Sequence, residues 1–209
     1  KAWLWTLVAS WFTVFAIRPT REATILGDLL TDRFGGVVMC DRAKMYWQVG
    51  RLQWCWAHLA RDIRALVESD DRQVRRLGHD LMRPTGEVFR QWSRCRDGTI
   101  TRSGLKRVLT PVRQVVDAAL LRGVFSGNTR LVGMCRELYD HRDWLWAFLD
   151  HDGVEPTNNA SRRKNPPGPA PPPATATASA AAGPRPARGG RAPPGRARPV
   201  ARRSARREP

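Results

Sequence analysis

The chain has 209 residues, 42% of them hydrophobic and nine of them tryptophan, which suffices for one ordinary packed domain and excludes a wholly disordered chain. A formal charge of +17 points to a polyanionic partner, above all nucleic acid. Cys40, Cys55, Cys95 and Cys135 lack the tight spacing of a disulfide scaffold and read as free thiols of a reducing compartment.

Residues 2–17 are apolar, but Thr6, Ser10 and Thr13 interrupt them, and the run falls short of the roughly 20 residues a membrane-spanning helix needs. Its aromatic and β-branched residues instead predict a β-hairpin, strands 3–9 and 11–17, with Ala9 and Ser10 between them. Thr20 is placed to cap a helix over residues 21–32, with Ile25, Leu26, Leu29 and Leu30 on one face and Gly35-Gly36 ending it. Val37 to Cys40 is a short unbroken apolar run, the pattern of a strand buried on both faces, and Asp41 sits at its exit.

From residue 55 to about 149 the period becomes helical, as in Leu59, Ile63, Leu66 and Val67 or Leu105, Val108, Leu109, Val112, Val115 and Val116. Pro84, Gly98, Gly104, Pro111 and the 123–127 stretch punctuate this block, Pro111 starting or kinking a helix rather than separating two. Past Asn159 the composition changes. Twelve of the sixteen prolines lie between Pro166 and Pro209, mixed with Ala, Gly and Arg, so residues 161–209 are expected to be disordered. Twelve basic residues, Arg162, Arg163, Lys164 and nine later arginines, stand there against Glu208 alone, leaving the body only moderately basic.

Two carboxylates carry the chemical argument. Asp41 at the carboxyl end of a buried strand stands where α/β folds place their chemistry, and Glu155, in Gly153-Val154-Glu155-Pro156-Thr157-Asn158-Asn159, could share a divalent metal with it. The competing readings are a helix-capping or turn carboxylate for Asp41 and a solvent-exposed turn or helix start for Glu155. Cys55-Trp56-Ala57-His58 is half of a zinc pattern without a second pair at matching spacing; the alternative is a helix start with Cys55 in the core. Arg61 and Asp62 form either an exposed pair or part of a nucleic-acid surface. Most tryptophans are expected in the core, although their faces could stack on unpaired bases.

In order and separation, three stretches resemble the insertion sequence 66 family of bacterial DDE transposases: Gly36-Val37-Val38-Met39-Cys40-Asp41-Arg42 followed by Tyr46, then Cys55-Trp56-Ala57-His58-Leu59 with Arg61-Asp62, then Gly153 to Asn159. The resemblance covers roughly residues 3–159. It implies an α/β, RNase H-like mixed sheet, with a partial catalytic core over 1–54, an all-helical insertion over 55–150, a return to the core over 151–160 and a disordered basic tail over 161–209. Asp41 then corresponds to the second catalytic carboxylate and Glu155 to the third, and Cys55 and His58 to a structural C-x-x-H motif. It further implies two Mg²⁺ ions about 3.5–4 Å apart that clamp the entering and leaving oxygens of a phosphodiester. The implied partners are DNA at the element's terminal repeats and further copies of the chain, with no membrane, in the bacterial cytoplasm at the nucleoid.

Two departures from the family pattern shape the expectations. The family's first catalytic Asp lies on a strand before residue 3, so the first metal ligand and first strand are expected to be missing. The strand of Asp41 is then expected to present an open edge. Downstream, Ala160 to Pro167 replaces the family's continuing helix, which suggests a frameshift near residue 160. A DNA transposase chain, truncated and inactive, is the resulting expectation; a non-enzymatic basic DNA-binding remnant is the alternative.

Overall fold

The computed structural model describes residues 2–10, 12–30, 34–159 and 175–182, which form a mixed α/β structure richer in helix than in strand. Strands β1 (Trp3–Ala9) and β2 (Thr13–Arg18) make the predicted antiparallel hairpin, with Trp5 opposite Ala16 and Thr6 opposite Phe15. Strand alternation sends Trp5, Leu7 and Ala16 into the core and leaves Phe15 and Ile17 exposed on the other face.

Helix α1 (Ala23–Leu29) buries Ile25 and Leu26 but begins later than predicted. Its N-cap is Glu22, and no side chain caps it; Arg21 is drawn instead to Asp41 and to the face of Trp3. The helix also ends sooner, at Leu29 with extended Leu30 as its C-cap, rather than running to about residue 32 and stopping at Gly35-Gly36; residues 31–33 lie outside the described residues.

Strand β3 (Val37–Cys40) is buried at all four positions, as its unbroken apolar run requires. Two elements absent from the sequence reading follow it, a 3₁₀ helix (Lys44–Val49) and the three-residue strand β4 (Leu52–Trp54). β4 runs parallel to β3, Val38 opposite Leu52 and Cys40 opposite Trp54. The turn between them places Gly50 at φ 80°, a left-handed conformation that favours glycine.

The predicted helical block is α2 (Trp56–Val67), α3 (Arg72–Arg96), α4 (Arg102–Val124), α5 (Thr129–Asp140) and α6 (Asp143–Asp150). Side-chain caps fix three of the starts: Asp71 accepts from the Gln73 and Val74 amides, Thr101 from Gly104 and Asn128 from Arg130. Pro84 does not break the block; it lies buried inside α3, and Pro111 lies inside α4. Close approach of α3 to α2 depends on Gly78, where a Cβ would come within 2.6 Å of the Val67 amide nitrogen.

The sheet order is β2-β1-β5-β3-β4, and β5 (Thr175–Ala182) comes from the segment expected to be disordered. The segment is poor in large apolar side chains. Two flanking strands can nevertheless recruit it through main-chain hydrogen bonds, which need no large side chains. β5 runs antiparallel to β1 and parallel to β3, so β3 has neighbours on both sides and the expected open edge is covered. The remainder of 161–209 lies outside the described residues.

Candidate functional site

The parallel pair β3 and β4 brings two chain exits to one end of the sheet. Asp41 follows Cys40 there, Cys55 follows Trp54, and the Cys55 amide donates to the Cys40 carbonyl at 2.8 Å. Asp41 is held in a turn: its Oδ1 accepts from the Ala43 amide at 3.0 Å, and its Oδ2 faces the Arg21 guanidinium at 3.4 Å. Arg21 in turn lies 5.3 Å over the Trp3 ring.

After α6 the chain turns at Gly153, at φ 76°, and returns to this same end. The Glu155 amide donates to Met39 Sδ at 3.2 Å, the Trp56 amide to the Pro156 carbonyl at 2.8 Å, and the Asn158 amide to Cys55 Sγ at 3.4 Å. Val154 is buried and Glu155 half-buried. Glu155 lies in irregular backbone rather than a helix, and Asn159 is the last described residue of the segment. Residues 100 or more apart in sequence thereby meet: the Glu155 segment packs on the residue two before Asp41.

Cys55 is the N-cap residue of α2, fully buried, and His58 is half-buried on the helix's first turn. Among the described residues no group of three or more His, Cys, Asp or Glu side chains is arranged to hold a metal. The Cys55 thiol accepts from the Asn158 amide, which joins the start of α2 to the Glu155 segment.

The electrostatics follow from burial beside one charge. Burial raises the Cys40 thiol pKa well above its ordinary value, and the Asp41 charge and Cys55 add to the rise. The Tyr46 phenol is raised by burial first and by Asp41 and Cys40 after it. Both groups stay protonated and neutral near neutral pH. Two carboxylates with water are a donor set that suits Mg²⁺.

Three contributors escaped the sequence reading. Arg21 reaches Asp41 across twenty positions of sequence, and no local pattern announces it. Arg42, next to Asp41, bridges Asp62 on α2 at 2.5 Å and Glu137 on α5 at 3.1 Å, so Asp62 is tied to Arg42. Gln53 on β4 binds α6 through the Leu145 carbonyl and the Phe148 amide. A fully buried glutamine inside the strand Leu52–Trp54 was the one readable signal, since buried polar groups require partners.

A family model described as "Transposase IS66 family" matches residues 1–164. No curated protein matches the chain. No solved structure matches it either.

Proposed function

The chain belongs to the IS66 transposase family, and from that membership we propose that Asp41 and Glu155 are two carboxylate ligands of a DDE-type centre for cutting and joining DNA. The observation that carries this reading is the Glu155 amide seated on Met39 Sδ, which brings the second carboxylate-bearing segment to the exit of the strand that ends at Cys40, just before Asp41. The sheet order, an antiparallel hairpin on one side and the parallel pair β3–β4 on the other, supports an RNase H-like core interrupted by the helices α2–α6.

Mg²⁺ bound to these carboxylates would supply stabilisation of charge on the attacking and leaving oxygens of a phosphodiester. The chain's own residues prepare for it. The Ala43 amide fixes the orientation of Asp41 and the Arg42 bridge to α2 and α5 anchors the turn that follows β3, while Arg21 pairs with the second Asp41 oxygen and would have to yield it to a metal. Strand transfer by this chain alone is not expected. β5, the neighbour of β3, reads Thr-Ala-Thr-Ala-Ser-Ala-Ala-Ala and contributes no carboxylate, and the described residues contain no three-ligand group.

DNA is the proposed partner, with element ends as the target and self-association as in an intact transposase. No helix among the described residues is long and apolar enough to cross a membrane. The second reading, a basic DNA-binding remnant without metal chemistry, is favoured by the Arg21–Asp41 ion pair, which satisfies Asp41 without any metal.

Electron paramagnetic resonance of Mn²⁺, which substitutes for Mg²⁺, separates the two. Saturable Mn²⁺ binding weakened by Asp41→Asn and by Glu155→Gln, and strengthened by Arg21→Ala, is the expected result. Binding indifferent to all three substitutions leaves only the remnant reading. Robust Mg²⁺-dependent strand transfer lost in Asp41→Ala would overturn the expectation of inactivity.

A further inference from the structure

β1 and β3 do not pair with each other; the place between them is one strand wide and β5 fills it. Its register is definite. Leu7 stands opposite Ala178 and Val8 opposite Thr177 on the antiparallel side, while Val38 stands opposite Ala176 and Met39 opposite Thr177 on the parallel side. The other four strands lie within residues 3–54, inside the family match, whereas β5 begins beyond its end at residue 164.

Without β5, the amides and carbonyls of β1 and of fully buried β3 would face each other across a gap with no partner, and buried main-chain groups left so are costly. Two such edges accept an extended segment by strand addition, where main-chain hydrogen bonds supply the affinity and pockets select side chains. The side-chain requirement here is small size: Ala178, opposite Leu7, is 1% exposed. The segment is free of charge and proline, its threonines favour strand, and its alanines bring little apolar area. Backbone pairing rather than side-chain packing therefore dominates its attachment, which makes it replaceable by another segment of the same chemistry.

We propose that the cleft between β1 and β3 is a binding slot for an extended, uncharged, small-residue polypeptide segment, occupied in cis by this chain's own residues 175–182 as an intramolecular strand plug. The slot is independent of the metal reading. A chain in which Asp41 and Glu155 bind no metal would still need it filled.

Two measurements on the full-length chain test the proposal. Thr177→Pro with Ala178→Pro removes adjacent amide donors and so spoils both edges of β5. A dye-labelled synthetic peptide of residues 175–182 should then bind the double variant saturably by fluorescence anisotropy and bind the unaltered chain at least about tenfold more weakly, because the plug competes at high effective concentration. Equal affinity for both chains, or none for a folded variant, overturns the proposal. The second measurement does not depend on that variant folding. Thr6→Cys with Ser179→Cys, a facing pair in the register, should oxidise to a disulfide within one chain, identified by peptide mass mapping of monomer. A disulfide between two chains overturns the occupancy in cis, and failure of the pair to form overturns the slot.

Discussion

Gln53 is fully buried, and both ends of its side-chain amide are used: the nitrogen donates to the Leu145 carbonyl at 3.1 Å and the Trp54 carbonyl at 2.7 Å, and the oxygen accepts from the Phe148 amide at 2.7 Å. The Trp56 indole donates to the same Leu145 carbonyl at 2.7 Å. Gln53→Leu keeps the approximate volume but leaves the Phe148 amide buried without that acceptor, a loss of about 1–3 kcal/mol. Urea unfolding of the variant should show a lower midpoint by that amount, and an unchanged midpoint would show that β4 and α6 are not held by this residue. The residue scale also separates what was readable at the candidate site. Asp41 and Glu155 were visible as carboxylates at a strand exit and in a Gly-Pro-Asn turn, but the Arg21 partner of Asp41 was not, because a guanidinium on a long side chain can reach many positions that spacing does not specify.

At the scale of elements, the hairpin, the strand Val37–Cys40 and the helical block were legible because each repeats its apolar residues at the period of its own geometry. β4 was not, since three residues show no period, and Thr20 was misread as a cap because its neighbour Arg21 is claimed by tertiary partners. Pro84 reads as punctuation and Pro111 as the start or kink of a helix; both are carried inside long helices, where packing along the rest of the helix outweighs a local cost of about 3 kcal/mol. The cap of α3 makes a pH prediction. Hydrogen bonds from the Val74 and Gln73 amides hold the Asp71 carboxyl below its ordinary pKa, aided by Asn128 and Arg130. A folded-state pKa below the unfolded one means that the unfolded chain binds the proton more readily, so this stabilisation is complete above the unfolded value and is lost as pH falls through the folded one. Asp71→Asn keeps a capping oxygen without the charge, and its Tm should fall less steeply than that of the unaltered chain across the acid range. Parallel Tm profiles for the two proteins would remove Asp71 from that acid dependence.

The whole molecule divides its charge unevenly, with nine arginines beyond residue 182 against Glu208 alone. If DNA binding draws on these arginines, removing residues 183–209 while retaining β5 should flatten the dependence of log K on log salt by roughly 0.9 for each arginine that neutralised a duplex phosphate. Fluorescence titrations of one duplex at several salt concentrations measure this directly, and an unchanged slope would place the contacts in the body. Charge, composition and three motifs in order were enough, from sequence alone, to establish the family and a helical block between two carboxylate-bearing segments, and to mark off a basic segment of different composition. These properties reside in residue identity and short-range period. Tertiary structure alone decided that Glu155 packs beside Met39, that Arg21 faces Asp41, and that residues 175–182 complete the sheet between β1 and β3. Each of those joins segments far apart in the chain, and the strand's place in particular is set by unpaired main-chain groups on its neighbours, which all residues but proline carry alike and which no side-chain pattern can encode.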